Sequence, residues 1–252
     1  MSGIVKELII VCPLVFIAGF IDSAAGGGGL ISLPAYMAAG IPVHVATGTN
    51  KCSSALGTIF SAWNFFKNGK VHIKSAICSS AAALIGSYIG AMLNMIVDEY
   101  ALRIVMIAAV PIVAVFVVFK RDFGDEDKSG EKTTLKIMIL SSVIGLVIGC
   151  YDGFFGPGTG TFLIFAFTII IGFDMLTASG NAKFVNLSSN IAALIAYTVN
   201  GNVIWRIGIP AAAFCIAGNI LGSRMAIKKG SKFIKPMFLI ILAILFVKIF
   251  MG

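Results

Sequence analysis

Two stretches of this sequence hold residues that a continuous apolar helix does not tolerate. Asp22 stands just before Gly26, Gly27, Gly28 and Gly29, and Asp152 just before Gly156, Gly158, Thr159 and Gly160. A carboxylate is costly in hydrocarbon, and glycine is a poor residue for a helix interior. Each stretch therefore marks a point where an apolar segment breaks. Glycines at a break let the backbone turn and leave amide N–H groups exposed. A half-helix that starts there, from Leu30 or from Thr161, presents its positive end to an anion. Two broken segments at corresponding positions of two halves point to a transporter's binding site. The plainer alternative is that these glycines only let helices pack closely.

Lys51 and Lys183 open the long apolar segments that follow the two breaks. They can complete an anion site with compact positive charge, or reach to headgroups as interfacial lysines. Thr49, Asn50 and Asn181 lie beside them as polar donors, though in membranes such residues also hold helices together. Asp22 and Asp152 are the acids embedded in apolar sequence. They are candidates either for coupling anion movement to protonation or for pinning the backbone N–H groups of the break as a cap does.

The segments that must position these residues are of membrane type. Of 252 residues, 58% are hydrophobic and 12% charged, against about 25% charged in soluble domains. Mean hydropathy is +1.00, and the apolar residues come in long blocks. The formal net charge of +8 raises nucleic acid as a partner. The basic residues, however, sit in short loops between apolar blocks, so the expected partner is a lipid bilayer and not nucleic acid. The five cysteines are scattered singly without a metal spacing and read as small buried hydrophobes. The N-terminal apolar run resembles a signal peptide but has no clear cleavage site, so it is read as part of the membrane fold.

The apolar run 8–20 is too short for a hydrocarbon core of about 30 Å. With the run that follows the glycines, it forms either one broken spanning helix or a re-entrant pair. Full-length segments follow at 46–66, 75–97 and 101–119, then a charged stretch at 120–136, and then a second set. Asp152 corresponds to Asp22, Gly156 and Gly158 to Gly26 and Gly28, and Lys183 to Lys51. Gly218 and Gly222 correspond to the small-residue pair Gly86 and Gly90. A period of about 130 residues, far beyond solenoid repeats, implies a single duplication. Its parts are a first membrane repeat (1–119), a charged linker (120–136) and a second repeat (137–252). The later spans are 178–199, 204–223 and 233–250. Loop charge favours re-entrant breaks, because the basic clusters then fall on one side of the membrane.

The stretch Ala18-Gly19-Phe20-Ile21-Asp22-Ser23-Ala24-Ala25-Gly26-Gly27-Gly28-Gly29-Leu30-Ile31-Ser32-Leu33-Pro34 resembles the TauE/SafE sulfite and organosulfonate exporter family. So do Ala46-Thr47-Gly48-Thr49-Asn50-Lys51, Ser61-Ala62-Trp63-Asn64-Phe65 and Tyr151-Asp152-Gly153-Phe154-Phe155-Gly156-Pro157-Gly158-Thr159-Gly160. The resemblance runs over nearly the whole chain. It implies a multi-pass transporter of the bacterial or archaeal inner membrane, with two homologous halves, that moves small sulfur-containing anions.

The expectation is an all-α polytopic membrane protein of two repeats, each a glycine-broken segment plus three transmembrane helices. Its function is secondary transport of a small oxyanion by alternating access, with coupling to protons or another ion. No GxxxxGK[ST] phosphate loop, HExxH or GxSxG occurs, so neither a nucleotide drive, a cofactor nor an enzyme is expected. An anion channel, or a carrier of a different small solute, is the alternative. Oligomeric state, cargo and direction of transport are not written in these residues.

Overall fold

The computed structural model describes residues 3–96, 124–237 and 239–240, and these are almost entirely helical. The helices are α1 (Gly3–Ala25), α2 (Gly29–Ala38), α3 (Val43–Lys67), α4 (Ile73–Ile96), α5 (Thr134–Phe154), α6 (Thr159–Ala166), α7 (Met175–Val199) and α8 (Trp205–Lys229). A π-helical turn, Phe167–Ile171, extends α6. The expected spans 101–119 and most of 233–250 lie outside the described residues.

The helices α1, α4, α5 and α8 are long and apolar enough to cross a membrane. Their outward faces carry large apolar side chains such as Ile77, Ile85, Ile139 and Val147, all more than half exposed. At 25 residues each, α3 and α7 are equally long. They miss the apolar class because their buried faces hold Thr47, Asn50 and Lys51, and Ser179, Asn181, Lys183 and Asn186. Their polar faces turn inward, while Trp63 of α3 and Ile195 and Val199 of α7 remain more than half exposed.

The first break differs from the expected short run. Helix α1 has 23 residues, about 34 Å at 1.5 Å per residue. It continues through Asp22 to Ala25 because Asp22 is paired rather than bare. Gly26 and Gly27 then take positive φ, +78° and +83°, and α2 turns back along α1. Gly28 sits on Ala18 and Asp22, while Leu33 and Tyr36 pack with Val11 and Val15. The half-helices begin one and two residues earlier than expected, at Gly29 and Thr159.

The large helix packings all join the first four helices to the last four: α1 with α8, α4 with α5, α3 with α8, α4 with α7, and α3 with α7. The halves interlock and are not separate bodies. Gly218 meets Phe16 and Gly222 meets Phe20, so α1 and α8 run parallel. Likewise Gly145 meets Ser79 and Gly153 meets Ser87, so α4 and α5 run parallel. Parallel neighbours cannot be joined by a short loop, which is why each partner comes from the other half. A Cβ at Gly86 or Gly90 would strike the Leu146 or Cys150 carbonyl, and one at Gly218 or Gly222 would strike that of Phe16 or Phe20. Hydrogen and glycine backbone contact therefore set these helix spacings.

Helix directions follow from the same contacts. α3 runs with α8, as Gly48 meets Asn202 and Asn64 Nδ2 donates to Ser223 Oγ at 2.8 Å. α7 runs with α4, as Gly180 meets Lys70 and Ser87 Oγ donates to the Ser189 carbonyl at 2.6 Å. α3 and α7 run opposite ways, since Gly48 lies by Tyr197 and Phe66 by Phe184. Thus α1, α3 and α8 point one way, and α4, α5 and α7 the other.

Residues 124–136 of the charged stretch are mostly exposed and are tied to the fold at several points. α5 begins at Thr134, capped by Thr133, so Lys136 belongs to the helix. Upstream, the Met175 amide donates to the Gly124 carbonyl at 3.0 Å, and the Lys128 amide to that of Gly172 at 2.7 Å. Asp125 is paired with Lys235 at 2.7 Å.

Candidate functional site

The two breaks meet tip to tip. Gly26 lies directly against Gly160 and Thr161, so closely that any Cβ on Gly26 would overlap their backbone. Thr161 Oγ1 donates to the Ala25 carbonyl at 3.3 Å. Both half-helices, α2 and α6, therefore start from one place near the middle of the helix bundle.

Beside this contact is a cavity of about 30 Å³, lined from both halves. By volume it has room for about two or three waters, since a water needs about 10–15 Å³ measured this way. Its walls include Asp22, Gly27, Gly28 and Gly29 from the first break and Asp152, Gly156, Gly158, Thr159 and Gly160 from the second. Asn50 and Lys51 of α3 and Asn186 and Asn190 of α7 line it as well.

The backbone amides of the two breaks divide into bonded and unbonded groups. The amides of Leu30, Ile31 and Ser32 bond back to Gly27 and Gly28 carbonyls, Thr159 to Gly156 and Phe162 to Gly158. The Gly28 amide donates to Asp22 Oδ1 at 3.3 Å. The amides of Gly27, Gly29, Gly158 and Gly160 donate to no described residue. Four unbonded N–H groups stand at two helix starts, three of them on the buried residues Gly27, Gly158 and Gly160, and these are an unmet hydrogen-bonding demand.

The charges are arranged crosswise. Lys51 of the first half pairs with Asp152 of the second at 2.7 Å, both side chains 3% exposed. Lys183 of the second half pairs with Asp22 of the first at 2.8 Å and also donates to the Asp22 carbonyl oxygen. Ser189 Oγ adds a hydrogen bond to Asp152 Oδ2 at 2.5 Å. Neither lysine reaches a membrane surface, because each is neutralised by a carboxylate on the opposite half.

Most of the residues singled out in the sequence converge here. Four do not line the cavity. Gly26 forms the tip contact, and Lys183 is sealed behind Asp22 with its side chain fully buried. Thr49 Oγ1 donates to the Val45 carbonyl at 2.7 Å and accepts from the Ile204 amide at 3.0 Å, tying α3 to the start of α8. Asn181 Nδ2 donates to the Thr177 carbonyl at 2.8 Å. Ser32, Ser54, Thr58, Asn190 and Asn219 line the cavity in addition. Thr47, Lys51, Ser54 and Thr58 recur at three- and four-residue steps, a polar stripe on one helix face that the spacing alone could have signalled. Ser189 carried no such signal.

Apolar spans around a cavity lined by charged and polar residues from both halves define a polytopic membrane transporter. The family model described as "Sulfite exporter TauE/SafE" matches residues 11–249, and the chain belongs to this family. It is 35% identical over 233 residues to the probable membrane transporter protein YfcA of Escherichia coli (strain K12), covering 92% of this chain and 86% of that protein. A probable membrane transporter protein of Sinorhizobium sp is 35% identical over 226 residues, covering 90% and 85%. One of Haemophilus influenzae is 32% identical over 225 residues, covering 89% and 87%. No solved structure matches the chain significantly.

Proposed function

We propose that this protein is a secondary transporter of small oxyanions, with sulfite and small sulfonates as the first candidates. The observation that carries the reading is the set of four unbonded amides, from two opposed helix starts, around one cavity that Lys51 also lines. Helix N-termini favour anions through free N–H groups and the dipole together. The family description names sulfite, and the cavity lining brings Lys51 and Asn50 beside the free amides.

Opposed helix directions and crossed lysine–aspartate pairs support an inverted duplication of the 1–119 and 137–252 repeats, joined by the 120–136 stretch. In this reading α1 with α2, and α5 with α6, are re-entrant pairs whose tips lie near the midplane of the cell's inner membrane. Three spans complete each repeat. Alternating access then rocks the halves about the tip contact, driven by an ion gradient, without enzymatic chemistry.

The test is sulfite uptake into proteoliposomes, with counterflow. Saturable uptake and stimulation of labelled sulfite influx by sulfite inside the vesicles are expected. Uptake that never saturates and shows no counterflow assigns the protein to channels instead. No uptake of any oxyanion rejects the reading.

A further inference from the structure

The cavity is electrically balanced before any ligand arrives. Lys51 faces Asp152, and Asp22 is answered by Lys183. An anion arriving alone adds an uncompensated buried charge, which is strongly unfavourable. The helix ends return only part of that cost. Lys51 can supply the missing counter-charge, but only if Asp152 releases it.

The geometry around Asp152 suits that release. A Cβ on Gly156 would stand 3.4 Å from Lys51 Nζ and 3.5 Å from Asp152 Oδ1. The ammonium therefore sits at the turn that leads to the unbonded Gly158 and Gly160 amides. Asp152 has a second partner in Ser189 Oγ at 2.5 Å, so a neutral carboxyl there keeps a hydrogen bond after Lys51 leaves. Asp22 lacks this freedom. Lys183 grips both its carboxylate and its main-chain oxygen, the Gly28 amide holds Oδ1, and Lys183 does not line the cavity. The two pairs are unequal: Lys51 lines the cavity, and Lys183 does not.

We infer that the coupling ion is a proton and that Asp152 carries it. This rests on the oxyanion reading above. The proton forms one O–H bond on the Asp152 carboxylate. Lys51 keeps its three protons and moves its hydrogen bond from Asp152 Oδ2 to an oxygen of a monoanion. The loaded cavity is again neutral, and release reverses both steps. The groups bonded to the Asp152 carboxylate are Lys51 from α3 and Ser189 from α7, while the Tyr197 hydroxyl from α7 and the Ser87 carbonyl from α4 lie against the adjoining Gly153. Tyr151 is the neighbour of Asp152 on α5, and Asp22 with Lys183 lies across the tip contact. Cys215 is the remaining ionisable residue of the cavity wall.

The experiment is sulfite accumulation in proteoliposomes under an imposed pH gradient with the membrane potential clamped at zero, for wild type and Asp152→Asn. Sulfite speciation is identical in both, so the difference between them belongs to Asp152. One coupled proton makes accumulation by the wild type about tenfold higher, per pH unit of gradient, than accumulation by Asp152→Asn. Residual sulfite-for-sulfite exchange by Asp152→Asn is expected to ignore the gradient. An undiminished gradient response in Asp152→Asn overturns the inference while leaving the oxyanion reading standing. If Asp152→Asn does not fold, the wild type decides. Uptake indifferent to an imposed potential supports a neutral proton–monoanion load, and potential-driven uptake overturns it. A wild type with no saturable sulfite uptake takes down both.

Discussion

Lys51 and Asp152, one from each half of the chain, meet at 2.7 Å in the wall of the cavity, both side chains buried. Lys183 and Asp22 repeat the relationship with the halves exchanged. The two bridges clamp the glycine breaks to the long helices that follow the opposite breaks. They also decide which positive charge faces the cavity.

Removing one member of the Lys51–Asp152 pair strands its partner's charge. Asp152→Ala or Lys51→Ala alone should destabilise the protein by about 3–5 kcal/mol, whereas Lys51→Met with Asp152→Leu should cost far less. Thermal unfolding in one detergent measures this. A double variant as unstable as the sum of the singles contradicts the pairing.

Gly26 and Gly40 both hold positive φ, +78° and +85°, but of the two only Gly26 touches a neighbouring segment where a Cβ would stand. Gly40→Ala should cost about 1–2 kcal/mol from backbone strain alone. Gly26→Ala additionally forces the two tips apart and should abolish transport even where protein is recovered. Uptake and melting temperature of the pair separate the two effects. Equal behaviour of both variants would contradict the tip contact.

Asn50 lines the cavity, and Asn181 does not. Asn50→Ala should weaken anion binding at least severalfold, since one lost hydrogen bond to a charged group is worth about 1.5–3 kcal/mol. Asn181→Ala should leave the Kd near that of wild type. Thr49→Val should lower stability by about 1 kcal/mol or more by leaving the Ile204 amide unbonded, with little change in Kd. Titration of each purified variant with sulfite checks all three.

The breaks were legible in the sequence because Asp22 with four glycines, and Asp152 with three, contradict a continuous apolar helix. The correspondence of Lys51 with Lys183 was legible too. The extent of α1 was not. Its apolar run stops at Phe20, and the helix passes Asp22 only because Lys183, 161 positions away, neutralises it. For the same reason the lysines read as free cations or as headgroup ligands. Helical spacing tells which face of α3 carries Lys51 but not which helix opposes it. Ser189 joined the site through a contact with Asp152 that no local pattern encodes.

The most direct measurement is thermal stabilisation of the purified protein by sulfite, alongside sulfate, thiosulfate, phosphate and acetate, in wild type, Lys51→Gln and Asn181→Ala. At a hundredfold excess over Kd, a bound anion stabilises by about 2.7 kcal/mol. The expected result is an anion-specific shift in wild type and Asn181→Ala that is lost in Lys51→Gln. A shift of equal size in all three proteins would place the anion away from Lys51. No shift for any anion in well-folded wild type would contradict an oxyanion site between the two breaks.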